Sequence, residues 1–180
     1  MTKRTFVAVD VLPASGLKEA YELIRYRMRL EKINWVETGN MHITLSFLGD
    51  TDESLIPGIA QAIRNTADQF QPFELVLKSF GVFKNLHDPR VLWFGCEAPE
   101  TLTLIKKMLD EHLLPLGFEP ENRHFAPHLT LGRVKALRQL NQLGQLITLY
   151  KDAVIQKQQT DRIVFYESRL TPQGAVYTPI

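Results

Sequence analysis

Two short segments of the chain show the same alternation of polar and apolar residues. Residues 41 to 45 read Met-His-Ile-Thr-Leu, and residues 127 to 131 read Pro-His-Leu-Thr-Leu. Alternate side chains of an extended strand share a face, so the histidine and the threonine of each segment point to one side. The apolar residues between them point to the other side, where they can pack on helices. Each segment therefore predicts a strand that holds an imidazole beside a hydroxyl on an open face.

Two strands that each hold an imidazole beside a hydroxyl are suited to metal-independent phosphoryl transfer. The unperturbed pKa of imidazole, about 6.5, allows His42 and His128 to donate or accept protons near neutrality. One histidine would take the proton of the attacking oxygen while the other protonates the leaving oxygen. Thr44 and Thr130 would donate hydrogen bonds to the phosphate. A lone histidine is more often structural, but core packing has no need of the same polar pair in both halves. These residues alone leave open which histidine is the acid.

Other kinds of site fit the sequence less well. His124 and His128 have the i, i+4 spacing of helical zinc ligands, but Pro127 between them opposes a helix. The acidic residues at 50–53 lack the ordered ligands and terminal glutamate of a calcium loop. The chain has neither the glycine-rich loops that bind nucleotide phosphates nor the G-x-S-x-G motif of serine hydrolases. We therefore expect no metal and no cofactor.

The composition of the chain is that of an ordinary globular protein. Apolar residues make up 44% of the 180 residues, charged residues make up 23%, and the formal net charge is +1, so no global field indicates a nucleic-acid partner. The single cysteine, Cys96, can form no internal disulfide, which favours a reducing compartment. No apolar run approaches the roughly 20 residues of a membrane span, and the N-terminus lacks the features of a signal peptide. We therefore expect a cytoplasmic monomer that does not contact membranes.

The two segments lie at the same place in a repeated plan. Pro13 precedes His42 by 29 residues, and Pro99 precedes His128 by the same 29. A strand-like run lies before each of these prolines, and an amphipathic helical pattern follows it. The predicted strands, besides the histidine segments, cover residues 5–12, 73–83, 91–96 and 161–170, and the predicted helices cover 17–30 and 102–114. A shared plan at a constant offset indicates a duplicated unit.

The duplication predicts an α+β fold for residues 1–180, arranged as a single domain of two pseudo-symmetric lobes. Mainly antiparallel sheets would line a central cleft, with the helices packed on their outer faces. The residues at 84–90 and 118–127 read as loops, the second of which leads into the second histidine segment. Pseudo-symmetry would place the two histidines facing each other across the cleft.

The histidine segments and their flanks resemble a known family. The sequences HITLSFLG at 42–49 and FAPHLTLGR at 125–133 are similar to the paired H-x-T-x motifs of the 2H phosphoesterase superfamily. Within that superfamily the chain is most similar to the bacterial and archaeal RNA 2′,3′-cyclic phosphodiesterases, which are also called 2′-5′ RNA ligases. The likeness covers nearly the whole chain and includes FVAVDVLP near the start, GVF at 81–83, VLWFG at 91–95 and ESRLTPQGAVY near the end.

This resemblance implies a substrate and a role for each residue of the two segments. The substrate would be an RNA or nucleotide with a 2′,3′-cyclic phosphate, which is hydrolysed without a metal to the 2′-phosphomonoester. His42 would be the proton donor to the leaving 3′-oxygen, and His128 the proton acceptor that activates water. Thr44 and Thr130 would hold the phosphate oxygens. Two alternatives remain: the same site could join RNA ends through a 2′-5′ linkage, or the fold could serve as a non-catalytic nucleotide-binding module.

Phe47 and Arg133 stand at matching places, five residues after the histidine of their half. Strict alternation would turn both toward the helix-packed face, where an unpaired guanidinium is costly. The resemblance implies instead that Phe47 stacks on the substrate base and that Arg133 helps to hold the phosphate. To reach the cleft, each strand must bulge or end after its threonine, and Gly132 offers freedom for this in the second copy. We therefore predict breaks in pairing near residues 46–47 and 132–133, with both side chains turned inward.

Overall fold

An antiparallel β-sheet with helices packed against it carries both histidine segments. The computed structural model describes residues 1–97, 100–122, 124–172 and 174–180. Its strands are β1 (Thr2–Asp10), β2 (Lys32–Trp35), β3 (His42–Asp52), β4 (Phe73–Lys84), β5 (Pro89–Glu97), β6 (His128–Ala136), β7 (Val154–Thr160), β8 (Val164–Thr171) and β9 (Gly174–Pro179). Its α-helices are α1 (Ser15–Arg27), α2 (Ile56–Ala67), α3 (Glu100–Leu113) and α4 (Leu140–Leu149).

The helices and strands predicted around the two segments are present, with small differences at their ends. The helix predicted over 17–30 starts earlier, at Ser15, and ends at Arg27. The helix predicted over 102–114 ends at Leu113, and a short 3₁₀ helix then closes on Gly117, whose φ of 88° is left-handed and suits glycine. The predicted role of Pro99 at the end of β5 lies outside the described residues.

The strands of the described residues form one hydrogen-bonded path in the order β7-β4-β5-β6-β3-β1-β8-β9, and β2 also pairs with β6. Each of these pairings is antiparallel. The predicted α+β fold with antiparallel sheets is therefore confirmed. The two predicted sheets are joined edge to edge where β3 meets β6.

The two halves of the chain exchange strands. The order is symmetric about the β3–β6 contact, with β3, β1, β8 and β9 on one side and β6, β5, β4 and β7 on the other. We call these groups the His42 lobe and the His128 lobe. Strand β4 belongs to the first half of the chain but pairs with β5, and β8 belongs to the second half but pairs with β1. With β9, which pairs with β8, the His42 lobe thus contains two strands from the second half, and the His128 lobe contains β4 from the first half.

The apolar residues of the histidine segments lie in one core with the helices. Ile43, Leu45, Leu129 and Leu131 are buried, and the hydrophobic cluster that contains them also includes helix residues such as Leu17. Burying an aliphatic side chain of this size contributes roughly 1.5–3 kcal/mol. This gain keeps the apolar side of each segment against the helices and leaves the polar side on the opposite face.

Strands β3 and β6 meet through the antiparallel register pair Ile43 and Leu129. Paired residues of an antiparallel ladder share a face, and their neighbours along each strand point to the other face. Because Ile43 and Leu129 point into the core, the histidine and threonine beside each of them lie on the same open face. We call the surface formed by His42, Thr44, His128 and Thr130 the junction site. The two histidines, predicted to face each other across a cleft, lie diagonally to each other on adjacent strands of one sheet, on either side of the Ile43–Leu129 pair.

Candidate active site

Both histidines of the junction site are fixed in the same way. Nδ1 of His42 lies 2.7 Å from the carbonyl oxygen of Asn40, and Nδ1 of His128 lies 2.7 Å from the carbonyl oxygen of Ala126. A carbonyl oxygen can only accept, so each Nδ1 carries the hydrogen and donates it. Nε2 is therefore the ring nitrogen that exchanges protons in both residues. The Asn40 side chain in turn donates to the carbonyl oxygen of Ala175 at 2.8 Å, which ties the start of β3 to β9.

An aromatic ring packs edge-on against each imidazole. The Tyr177 ring lies 5.2 Å from the His42 ring at 86°, and the Phe83 ring lies 4.5 Å from the His128 ring at 86°. Phe6 adds a second contact to His42, with ring centroids 4.9 Å apart. Together with the Nδ1 hydrogen bonds, these contacts restrict the rotation of both rings and hold Nε2 in place.

The surroundings of His42 favour its neutral form. Burial is the main cause that lowers the pKa of His42 below its usual 6.5, and the charges of His128 and Arg133 act in the same direction. The hydrogen bond to the Asn40 carbonyl and the carboxylate of Asp10 raise the pKa but do not cancel the effect of burial. The influence of His128 on the pKa of His42 indicates that the two rings are near each other.

Asp10 is held beside His42 by its own hydrogen bond. It is the register partner of His42 in the β1–β3 ladder, and its Oδ1 accepts a hydrogen bond from the Tyr166 hydroxyl at 2.6 Å. Burial and this hydrogen bond raise the pKa of Tyr166, so the hydroxyl stays protonated and remains a donor. The carboxylate of Asp10 is therefore positioned to stabilise the protonated form of His42.

Both threonines are half-buried on the open face. Thr44 pairs with Ala8 on β1, and Thr130 pairs with Trp93 on β5. Extending the Ile43–Leu129 register by one residue in each direction sets Thr130 beside His42 and Thr44 beside His128. Each imidazole thus has the hydroxyl of the other half next to it, an arrangement that suits an anion held between two acid–base groups.

The predicted irregularity in β3 is present and turns Phe47 to the open face. Thr44 pairs with Ala8 and Phe47 pairs with Phe6, and these partners alternate along β1 and so share a face. Leu45 and Leu48, which flank the break predicted at residues 46–47, are the residues that have no partner in the register with β1. Phe47 is 46% exposed and is not packed beneath the helices.

A bulge in β6 turns Arg133 to the open face in the same way. Thr130 pairs with Trp93 and Arg133 pairs with Val91, which alternate along β5, and Leu131 is skipped one residue before the predicted break. The Arg133 guanidinium is close enough to lower the pKa of His42. Gly132 serves a different purpose from the predicted one: a Cβ at this position would lie 2.7 Å from Cγ2 of Ile33, so glycine is needed for the close approach of β2.

Arg4 was not singled out from the sequence, and the structure places it at this site. Its guanidinium lies over the Phe47 ring at 4.7 Å, and its charge, like that of Arg133, opposes the rise that burial causes in the pKa of Tyr177. The alternation of Arg4 and Phe6 along β1 was the signal that could have located it. Other residues not foreseen here depend on pairing between distant strands: Asp10, Phe83, Trp93, Tyr166 and Tyr177.

The predicted alternatives to this site can be compared with the structure. His124, which shares the spacing of helical zinc ligands with His128, lies in an irregular segment and not in a helix. Among the described residues, no group of three or more His, Cys, Asp and Glu side chains is placed to hold a metal ion. Within the same residues, no helix is long and apolar enough to cross a membrane.

The chain is similar to proteins of one family. The family model described as LigT-like phosphoesterase matches residues 12–93 and residues 95–177, one match in each half of the chain. The RNA 2′,3′-cyclic phosphodiesterase of Methanothermobacter thermautotrophicus is 35% identical over 180 residues, covering 99% of this chain and 96% of the relative. The protein of the same name from Thermotoga maritima is 37% identical over 175 residues, covering 97% and 91%. A crystal structure from Thermus thermophilus superposes with a TM-score of 0.80 at 25% identity, covering 98% and 94%.

Proposed function

Because the chain belongs to the LigT-like phosphoesterase family, we propose that it is an RNA 2′,3′-cyclic phosphodiesterase that produces a 2′-phosphomonoester. The observation that carries this proposal is the matched pair of imidazoles at the junction site, each with Nδ1 committed to a backbone carbonyl. A nucleotide-binding module would need positive charge or hydrogen-bond donors at this place. It would not need two imidazoles, one from each lobe, whose Nε2 atoms can both exchange a proton.

The reaction is an in-line displacement at phosphorus with an acid on one side and a base on the other. Nε2 of His128 takes a proton from the attacking water as its oxygen bonds to phosphorus. The bond from phosphorus to the 3′-oxygen breaks, and Nε2 of His42 gives its proton to that oxygen. The phosphate stays on the 2′-oxygen. Each histidine ends in the protonation state in which the other began, and solvent exchange restores both.

The charge of the substrate prepares His42 to act as the acid. Burial, and to a smaller degree the charges of His128 and Arg133, lower the pKa of His42, so the surrounding protein disfavours its protonated form. A cyclic phosphodiester is an anion, and a negative charge within a few ångströms favours the protonated imidazole. The Asp10 carboxylate acts in the same direction. Binding of the substrate therefore loads the acid with its proton.

The remaining residues of the site bind the substrate. The hydroxyls of Thr44 and Thr130 donate to the non-bridging oxygens, and the guanidinium of Arg133 stabilises the charge that develops on the phosphate. Phe47, on the same open face, stacks on the base of the cyclic nucleotide. This chemistry uses protons and hydrogen bonds of the chain itself, so we propose that it proceeds without a metal. We also propose that the protein is a cytoplasmic monomer.

Product analysis on a short RNA with a terminal 2′,3′-cyclic phosphate tests the proposal. We expect a 2′-phosphate at the same rate with and without EDTA. A 3′-phosphate product would contradict the assigned leaving group, and loss of activity in EDTA that zinc or magnesium restores would contradict the metal-independent mechanism. Tight binding of the RNA without turnover would identify a binding module instead.

A further inference from the structure

A group of exposed cations extends away from the junction site along β6 and the neighbouring strand β2. Arg133, on the open face, is the register partner of Asn34 on β2. Lys32 alternates with Asn34 along β2 and therefore shares that face. Lys135 is the residue that the β2–β6 register skips, and Arg138 follows the end of β6. All four cations are exposed. We call Lys32, Arg133, Lys135 and Arg138 the β2–β6 track.

Acidic residues are scarce around this track. Of the 180 residues 20 are Asp or Glu, yet none occurs between Glu121 and Asp152, the segment that contains β6 and α4. Glu31 adjoins the track, and its carboxylate accepts a hydrogen bond of 2.7 Å from the backbone N–H of Arg138. Within the described part of the chain, no ion pair joins a track cation to a carboxylate. Neighbouring cations repel one another, and a bound polyanion would relieve this repulsion.

The track has the length of a short piece of single-stranded nucleic acid. At no more than about 3.4 Å per residue, the distance from Arg133 to Arg138 is at most roughly 17 Å. A cavity of about 540 Å³ is lined by Arg138 and by residues with side-chain amides, among them Gln139, Asn141 and Gln142. Cations in a row bind the backbone of a single strand, and neutral amides beside them add donors without adding negative charge.

The track begins on the His42 side of the junction site. Strands β3 and β6 are antiparallel, and their register pair is Ile43 and Leu129. This register sets Thr130 beside His42, so the residues that follow Thr130 continue past His42 and away from the other histidine. The charge of Arg133 accordingly acts on His42 and lowers its pKa.

The structure of ribose then gives the direction of the RNA. In the proposed reaction the 3′-oxygen leaves toward His42. In ribose C4′, from which the rest of the strand continues, adjoins C3′, whereas C1′, which carries the base, adjoins C2′. The strand that ends in the cyclic phosphate therefore leaves on the His42 side, and the base lies on the other side. Phe47 follows Thr44 along β3 and so lies past His128, on the side of the base.

We propose that the β2–β6 track binds the phosphate backbone of the RNA strand that ends in the cyclic phosphate, so that the enzyme prefers an RNA end to a cyclic mononucleotide. This inference rests on the proposed function and deepens it. Contacts to phosphates carry no sequence information, so RNA of any sequence is accepted. Arg133, which binds the reacting phosphate, is the point at which the track meets the junction site.

Removal of two charges from the track tests the proposal. The variant Lys32→Gln/Lys135→Gln is compared with wild type on a cyclic mononucleotide and on a short RNA with the same 2′,3′-cyclic end. The KM for the RNA should rise several-fold at low salt, and the slope of log KM against log salt concentration should fall by about 0.7 for each lost phosphate contact. The KM for the mononucleotide, which does not reach the track, should stay the same and shows that the variant is folded.

A matched control removes the same charge elsewhere. Lys18→Gln/Lys107→Gln changes two exposed lysines on α1 and α3, which pack on the opposite side of the sheet. Both KM values and the salt slope of this variant should equal those of wild type. The RNA substrate is also prepared with methylphosphonate linkages, which are uncharged. Wild type should bind this substrate no better than the cyclic mononucleotide.

Three results would overturn the proposal. The first is a wild type with the same KM for the RNA and the mononucleotide, and the second is a Lys32→Gln/Lys135→Gln variant whose KM is unchanged for the RNA or changes equally for both substrates. The third is an uncharged backbone that binds as well as RNA, because bases or sugars would then supply the affinity. Turnover of the cyclic mononucleotide by wild type shows that the proposed function stands in each case, and its absence would contradict that function instead.

Discussion

Ile43 and Leu129 are the register pair that joins the two lobes, and both side chains are fully buried. Each is flanked by a histidine and a threonine that point to the opposite face. The packing of this one apolar pair therefore sets the relative position of four polar side chains on the other side of the sheet. The core contact between Ile43 and Leu129 therefore also determines the geometry of the junction site.

Truncation of either member of this pair should strongly destabilise the fold. Ile43→Ala and Leu129→Ala should each lower the free energy of unfolding by about 2–5 kcal/mol, because each leaves a cavity where the core is closed. The double variant should lose less than the sum, since the two residues are in contact. Denaturant unfolding measures these values, with Leu104→Ala as a control at a site that is 55% exposed. Strict additivity would show that the two lobes are not coupled through this pair.

Asp10 should control the protonation of His42. The carboxylate raises the pKa of His42, so Asp10→Asn, which keeps an oxygen for the Tyr166 hydroxyl, should lower that pKa further. Because the proposed mechanism assigns the acid role to His42, it predicts that the alkaline limb of the rate profile moves to lower pH. An NMR titration of the His42 ring measures the pKa directly, with Asp68→Asn at the exposed end of α2 as the control. An unshifted His42 titration in Asp10→Asn would exclude this role.

His42 should also make the stability of the protein depend on pH. Its pKa is lowered in the folded state, so below about 6.5 the unfolded chain binds the proton more readily. The contribution of neutral His42 to stability is therefore fully present above pH 6.5, and it is lost as the pH falls toward the pKa of His42 in the folded state. Between pH 7.5 and 5.5 the free energy of unfolding should decrease more for wild type than for His42→Gln. An equal decrease in both proteins would contradict the lowered pKa.

Phe47 should affect binding of the substrate more than chemistry. Phe47→Ala should raise the KM for a cyclic nucleotide roughly tenfold and change kcat little, because stacking on the base is lost. A ribose 2′,3′-cyclic phosphate without a base supplies the control, since its KM should be the same for both proteins. If the KM for the nucleotide is unchanged, Phe47 does not contact the base.

The sequence predicted the parts of the site that alternation and repetition encode. His42 and His128 stand out because the same polar pair occurs twice at one offset. The family resemblance, together with the cost of burying Arg133 that strict alternation implies, predicted a bulge that the register contains. These inferences use residues within one strand. The reason for Gly132 was wrong because the contact that requires it, with Ile33 on β2, comes from another strand.

Features that depend on pairing between distant strands could not be predicted from the sequence. The exchange of β4 and β8 between the lobes brings Phe83 to His128 and Tyr166 to Asp10, and no local pattern distinguishes an exchanged strand from one that stays in its half. The bulge at Ser79 occurs in a run that reads as an ordinary strand.

The most direct test of the two-histidine mechanism is the rate of cyclic phosphate opening in His42→Ala, His128→Ala and the double variant. Each single variant should lose roughly 10²- to 10⁴-fold in kcat while it remains folded, as expected when a positioned acid or base is removed. The double variant should be little slower than either one, because both groups act in the same displacement. His87→Ala, in the exposed loop between β4 and β5, should retain the wild-type rate. A folded single variant at the wild-type rate, or a double variant whose loss is the product of the two single losses, would contradict the mechanism.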